Sequence, residues 1–477
     1  MSGYQRPRAE TVDSTNSQDP FVSARAVRRG CGDIRGSFSN QGGAQDGKVR
    51  YTLILPPSGF FSGRPGASEP LRNLTMNGTR LPTIEVALDS TSFPFIESCT
   101  QHVPQNYGVV KITNIPFNVK EAEIVAIIGK NSKILNDTQG PIHIIMDRPS
   151  SKTEDVYVEF YTSEDAAKCV ERLQKNARNG RPPRIDGRIV AVQLVDQAEL
   201  MRVLFPYAKG VDWHGCDPRV IEVGADGYEH EKFRGFLTPD EMIMLVKHVE
   251  VPGRSPFSMD VPQRPFECLM STIKKFPWHM SKHITVGQRF QIYDATIKMV
   301  TILKAKIALA AEQRQRREQL KLLFDRIVKA AMMCPGFSVV QKDNIACCAG
   351  WGELKCSKFN QPCFANEWKH LHTLCPRPTR VPIDVLDWYI AFIREHSVEQ
   401  MSSRSVQERT EAEQKSQHTS DYFGYLWAEL NLPEGKELNN MTLHDLYNRE
   451  VNAIQRVFAR VLRRGSNAQA LPESEQQ

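Results

Sequence analysis

The chain has 477 residues, with 61 Lys and Arg against 55 Asp and Glu, for a net charge of +6. That length has room for two or three domains, and a charge this modest leaves any nucleic-acid binding to local clusters rather than a global field. No run approaches the ~20 consecutive apolar residues of a membrane span, and the start Met1 to Arg8 lacks the apolar segment of a signal peptide. A soluble intracellular protein is expected, its 11 cysteines being thiols rather than bridges and its Asn73 and Asn77 sequons chance matches.

Residues 1–104 are rich in Ser, Gly, Gln, Asn, Pro and Arg without sustained periodicity, and they read as largely disordered. Short apolar pieces, Tyr51–Leu55 and Ile84–Leu88, could pair locally or dock on a partner. Arg29-Gly30 and Arg35-Gly36 are too sparse for an RGG tract and fit a flexible tail.

From residue 107 the pattern sharpens into an expected domain spanning 107–206 that folds alone. Val110 to Phe117 begins as a strand. Asn118 is placed to cap a helix with Glu121 completing a capping box, and Ile124, Ile127 and Ile128 fall at helical spacing. Ile142–Met146 and Thr153–Phe160 read as further strands. Ser163 opens a second helix with Ala166, Ala167, Val170 and Leu173 on one face, and Ile189–Leu194 is the last strand after the Asn179-Gly180 turn. The order is βαββαβ. Alternation sends Val110, Ile112, Val156, Val158 and Phe160 to the core and Lys111, Asp155, Tyr157 and Glu159 to the other face.

The runs Val110–Phe117 and Thr153–Phe160 resemble the two strand signatures of an RNA recognition motif (RRM), an α+β fold of the ferredoxin-like kind. An ordinary member stacks bases on sheet aromatics, whereas this sheet offers Tyr157 alone, with Lys111 and Asp155 at the other stacking positions. The pattern is similar to the quasi-RRM of the heterogeneous nuclear ribonucleoprotein F/H and epithelial splicing regulator families, which use loops instead. The resemblance rests on Pro116-Phe117, Gly140–Asp147 and Val156–Phe160 and covers about a fifth of the chain. It departs where the family's arginine falls on Thr113 and its fourth-strand aromatic on Ile189, so G-tract recognition does not carry over. The layout, one RRM-like domain before a long helical region, also looks like uncharacterised fungal RRM-domain proteins.

Beyond Phe205-Pro206 the pattern is mainly helical over 207–400. Thr238-Pro-Asp-Glu241 is a strong helix start leading into Met242, Leu245 and Val246. Helices are expected over Pro265–Phe276, from Val286 to about Met333 with a break near Gln313, and over Ile383–His396. Residues 401–420 read as a linker or exposed helix, 421–464 as a C-terminal helical segment containing Leu443–Arg464, and 465–477 as a disordered tail. A second, decayed RRM could begin near Val220, although no following strand resembles Thr153–Phe160. Arg314–Lys329 is basic, but its Leu320, Leu323, Phe324 and Ile327 spacing describes an amphipathic helix with a charged outer face. Cys334, Cys347, Cys348, Cys356, Cys363 and Cys375, with His370 and His372, lack the paired-knuckle spacing of a zinc site and read as structural thiols.

No Walker A loop, nucleophile elbow or zinc-protease helix is present in the sequence, and His143 reads as a strand-face residue, so neither an enzyme nor a metal or other cofactor is expected. The leading expectation is a single-stranded RNA-binding protein, by family resemblance an mRNA-processing factor resident in the nucleus or cytoplasm, with the nucleus favoured. The expected contacts are Lys111, Phe117, Arg148, Lys152, Tyr157, Arg181, Arg184 and Arg188. The arginine-rich loop fits phosphate pairing and solvated loop charge alike. The competing expectation is a protein-interaction scaffold that uses an RRM fold without RNA. The loop before the fourth strand holds Arg181-Pro-Pro-Arg184 rather than the Arg-x-Phe of tryptophan-capturing relatives, which favours RNA. The helical region would be the platform for a protein partner.

Overall fold

The computed structural model describes residues 56–221, 232–378, 381–416 and 419–468. Tyr51–Leu55 and the two Arg-Gly pairs lie outside them. The protein is mixed α/β, with a sheet-containing region followed by a helical one.

The first described stretch departs from the expected disorder. Residues 56–104 form three short helices, α1 (Ser58–Gly63), α2 (Glu69–Leu74) and α3 (Ile84–Ala87), and a strand β1 (Phe95–Glu97). Each helix is too short to show a period. Their starts are nevertheless encoded, since Ser68 and Thr83 cap α2 and α3 through their side chains.

The sheet region follows the expected βαββαβ order: β2 (Gly108–Thr113), α4 (Glu121–Ile128), β3 (Ile142–Met146), β4 (Thr153–Phe160), α5 (Ser163–Arg178), the small hairpin β5 (Arg184–Ile185) and β6 (Arg188–Ile189), and β7 (Ala191–Val195). The four long strands are antiparallel in the order β3-β4-β2-β7. Val110 faces Val158 and Ile112 faces Val156. On one face these residues, with Phe160, Ile124, Val170 and Leu173, form a closed core beneath α4 and α5. The first helix starts two residues later than expected. Val119 is buried and its carbonyl accepts from Arg264 Nη2 at 2.6 Å, so the helix begins after Lys120, whose N–H donates to Glu123.

The opposite face was expected to be open, and it is not. Val109, Ile145, Met146 and Tyr157 belong to a second core built with α6 (Gln197–Leu204), Phe205 and helices far along the chain. After the hairpin β8 (Val211–His214) and β9 (Asp217–Val220), these helices are α7 (Pro239–Glu250), α9 (Arg264–Lys275), α10 (Val286–Leu309), α11 (Arg314–Met333), α12 (Val339–Ala349) and α13 (Glu353–Cys356), with the short α8 (Pro256–Asp260) lying between α7 and α9 in the chain. The Thr238 capping box and the break near Gln313 fall where the sequence placed them. Among the described residues no second four-stranded sheet follows Val220. Residues on both sides of residue 206 share this core, because α9 and other helices beyond it pack on the sheet face that α6 also covers.

Of the remaining elements, β10 (Leu374–Pro376), α14 (Ile383–Ser402), α15 (Val406–Ser416), α16 (Ser420–Phe423), α17 (Leu426–Leu430), α18 (Lys436–Asn440) and α19 (Leu443–Ala468), all but α15 and α18 contribute to another core with the N-terminal helices and α12, while Leu438 of α18 joins the second core. β1 pairs with β10, Asp384 accepts from Ser68, and Tyr389 donates to the Ala87 carbonyl at 2.6 Å. Residues 56–104 are thus held by the C-terminal helices. Helix α15 lies within 401–420 and is largely exposed, and α19 continues past residue 464.

Candidate nucleic-acid interface

The eight expected contact residues separate into two groups. Lys111, Arg148 and Tyr157 are committed to internal contacts. Tyr157 is fully buried, and its hydroxyl donates to Glu199 Oε1 at 3.2 Å, with burial pushing its pKa up to about 12. Lys111 is paired with Glu199 at 3.0 Å and Asp155 at 3.5 Å, and the bond to Glu199 raises its pKa further. Arg148 is 5% exposed; its guanidinium meets Glu241 at 2.7 Å, the Leu204 carbonyl at 2.9 Å and Thr272 Oγ1 at 3.0 Å. These three positions correct the sequence-based site. The sheet face at Tyr157 and the Arg148 guanidinium are already occupied by α6, α7 and α9.

Glu159 shows why alternation misled. The sequence shows no partner for it if buried, yet it is buried with three. Lys275 Nζ lies 2.6 Å and Gln197 Nε2 2.7 Å from Oε1, and His143 Nε2 lies 3.0 Å from Oε2. Burial opposes the charge, but Lys275 and the His143 bond outweigh it and hold the carboxyl below the usual range. His143 Nδ1 meets Ser271 Oγ at 3.0 Å, which fits a neutral ring accepting from the hydroxyl and donating to the carboxylate.

Burial likewise lowers the pKa of His143 and His372, against the pull of Glu159 in the first case and assisted by Arg289 in the second. The unfolded chain gains protons below about pH 6.5 that the folded chain does not. Stability is therefore complete above that pH and declines below it, by at most about 1.4 kcal/mol per pH unit for each ring that stays neutral. Thermal melts from pH 7.5 to 5 should show a falling Tm, and His143→Gln should reduce the slope. A Tm independent of pH in this window would contradict the neutral burial of these rings.

Phe117, Lys152, Arg181, Arg184 and Arg188 form the second group, and all are exposed. The antiparallel register brings the loops after β2, between β3 and β4, and before β7 to the same end of the sheet. Asn114 Nδ2 donates to the Ile189 carbonyl at 2.8 Å and Arg188 Nη1 to that of Ile115 at 3.2 Å, which ties the Phe117 loop to the arginine hairpin. Arg184 braces the hairpin turn by donating to Gly187 O at 2.8 Å. Phe117 is 40% exposed and its ring stands edge-on to Phe257 of α8 at 6.0 Å. No local pattern marks Phe257, because α8 reaches this end only through tertiary packing. Ser151 bonds Ser258 at 2.6 Å and anchors the Lys152 loop to the same helix. An aromatic face among cationic side chains can stack a base and pair its phosphates.

The cysteine-rich segment is dispersed. Cys334 and Cys375 are buried, Cys347 is exposed, and among the described residues no three His, Cys, Asp or Glu side chains converge. No described helix is long and apolar enough to cross a membrane.

Comparison with known proteins divides the chain along the same line. Residues 106–215 match the family described as domain of unknown function DUF8400, and residues 233–351 match domain of unknown function DUF8399. The first holds the sheet and α6, the second the helices that close it. No curated protein matches. Among solved structures, the qRRM2 domain of Glorund is similar at 24% identity over 20% of this chain and 98% of that one, with a TM-score of 0.17. The strand order above is independent of that likeness.

Proposed function

We propose that this protein binds single-stranded RNA through the loop end of an RRM-like domain whose sheet face serves as the seat of its own helical region. One observation carries the reading. The stacking position Tyr157 is buried, while Phe117 and the cationic side chains of two neighbouring loops remain exposed together at one end. Such a site uses aromatic stacking and phosphate pairing, with no role for Tyr157. The reading is of a binding protein rather than an enzyme, and by resemblance of a factor in mRNA processing. A protein-interaction scaffold is the second reading, favoured by the use this sheet already makes of its face to hold protein.

The test is a titration of the full chain with random-sequence single-stranded RNA at several salt concentrations. Phe117→Ala should weaken binding roughly ten- to a hundredfold, the worth of one stacked base. The double change Arg181→Gln and Arg184→Gln should flatten the salt dependence, because fewer counterions are released. Absence of binding at low salt would replace this reading with the scaffold.

A further inference from the structure

A cavity of about 450 Å³ opens where three parts of the chain meet: the segment 101–107, the sheet domain, and helices α9, α11 and α12. That volume lies within the roughly 300–1,000 Å³ of small-molecule sites. Lys274, Lys275, Lys342 and Glu159 line it. Lys275 and Glu159 neutralise each other at 2.6 Å. Among the described residues the ammonium groups of Lys274 and Lys342 have neither a hydrogen-bond nor an ion-pair partner. Lys274 runs across Gly140 so closely that a Cβ there would lie 2.3 Å from its Nζ, which leaves the ammonium against the loop that walls the cavity.

Both side chains are half-buried, and the lining carries three lysines against the one carboxylate of Glu159, an excess of positive charge that is unfavourable without a counter-ion. Burial lowers both pKas, that of Lys274 to about 8 with Arg326 adding to the effect and Glu121, Asp137 and Glu159 opposing it. His102, at the same mouth, is held neutral by burial and adds no charge at pH 7. The wall includes Leu135, Met201, Ile273 and Met333, which suit an apolar or planar body, while Gln101 and Gln139 supply neutral hydrogen-bonding groups.

We propose that this cavity binds a small phosphate-bearing molecule, its dianionic phosphate lying between Lys274 and Lys342 and its body against the apolar wall. A lining with two more positive than negative side chains matches a phosphomonoester dianion better than a single carboxylate. The site is separate from the exposed loop end, so its occupancy does not depend on RNA binding.

Calorimetric titration of the full chain with inorganic phosphate and with adenosine 5′-monophosphate tests it, with adenosine as the uncharged control. Both phosphate probes should bind saturably, and adenosine should bind far more weakly. Lys274→Met and Lys342→Met should each weaken the nucleotide about tenfold or more, the worth of a charge-assisted hydrogen bond. Arg181→Gln should leave it unchanged, which separates this result from the fate of the RNA reading. In the unaltered protein, the nucleotide should protect Lys274 and Lys342, but not Lys152, from acylation by a small reagent read by peptide mapping. No saturable binding of either phosphate probe, equal binding of adenosine, or unprotected lysines at saturation would each overturn the proposal.

Discussion

Arg148→Met is expected to cost about 3–5 kcal/mol of stability, because it strands a buried carboxylate. Glu241 is 3% exposed, and its two oxygens divide their work: Oε1 meets Arg148 at 2.7 Å and Oε2 accepts from the Thr238 N–H at 2.8 Å. Without the guanidinium, Glu241 stays in a dry interior with its charge uncompensated, or takes up a proton and weakens its hold on the start of α7. The Leu204 carbonyl and Thr272 hydroxyl lose their donor as well. Arg148→Lys should recover only part of the loss, since one ammonium cannot span three acceptors in the geometry of a planar fork. Combining Arg148→Met with Glu241→Gln should cost less than Arg148→Met alone. Urea denaturation at pH 7 measures all three. A change within about 0.5 kcal/mol for Arg148→Met, the range of ordinary surface substitutions, would return Arg148 to the exposed loop site.

Tyr157→Ala and Phe160→Ala should be about equally damaging, at about 3–5 kcal/mol each, because both rings are fully buried although they point to opposite faces of the same strand. Phe160 packs beneath α4 and α5, and Tyr157 packs against α6 and the distant helices. A two-layer domain with an open sheet would instead lose little from Tyr157→Ala. The comparison thus measures whether the sheet is the middle layer of the molecule. Equal losses in denaturation, with RNA binding of the folded Tyr157→Ala fraction retained, are expected. A loss at Phe160 alone would show that the helices leave the sheet in solution.

The sequence by itself determined the local elements and the order in which they run. Strand alternation from Val110 to Phe160, the Thr238 capping box and the break near Gln313 depend on neighbours within a few residues, and each is where the pattern put it. The Phe117 loop and the arginine hairpin were also legible as parts, and βαββαβ topology alone brings them to one end. Tertiary structure decided which surfaces remain exposed. Lys111, Tyr157 and Glu159 carry the same alternation whether the face is open or covered, and only partners at residues 197, 199 and 275 turn that polar face into an interior. Arg148 appears as a loop charge until Glu241, ninety-three residues later, neutralises it. The short helices of residues 56–104 hold their shape through α14 and α19 rather than through any period of their own. Periodicity records which side chains share a face; what covers that face is a long-range choice, made by surface area and charge pairing between segments that the linear pattern does not connect.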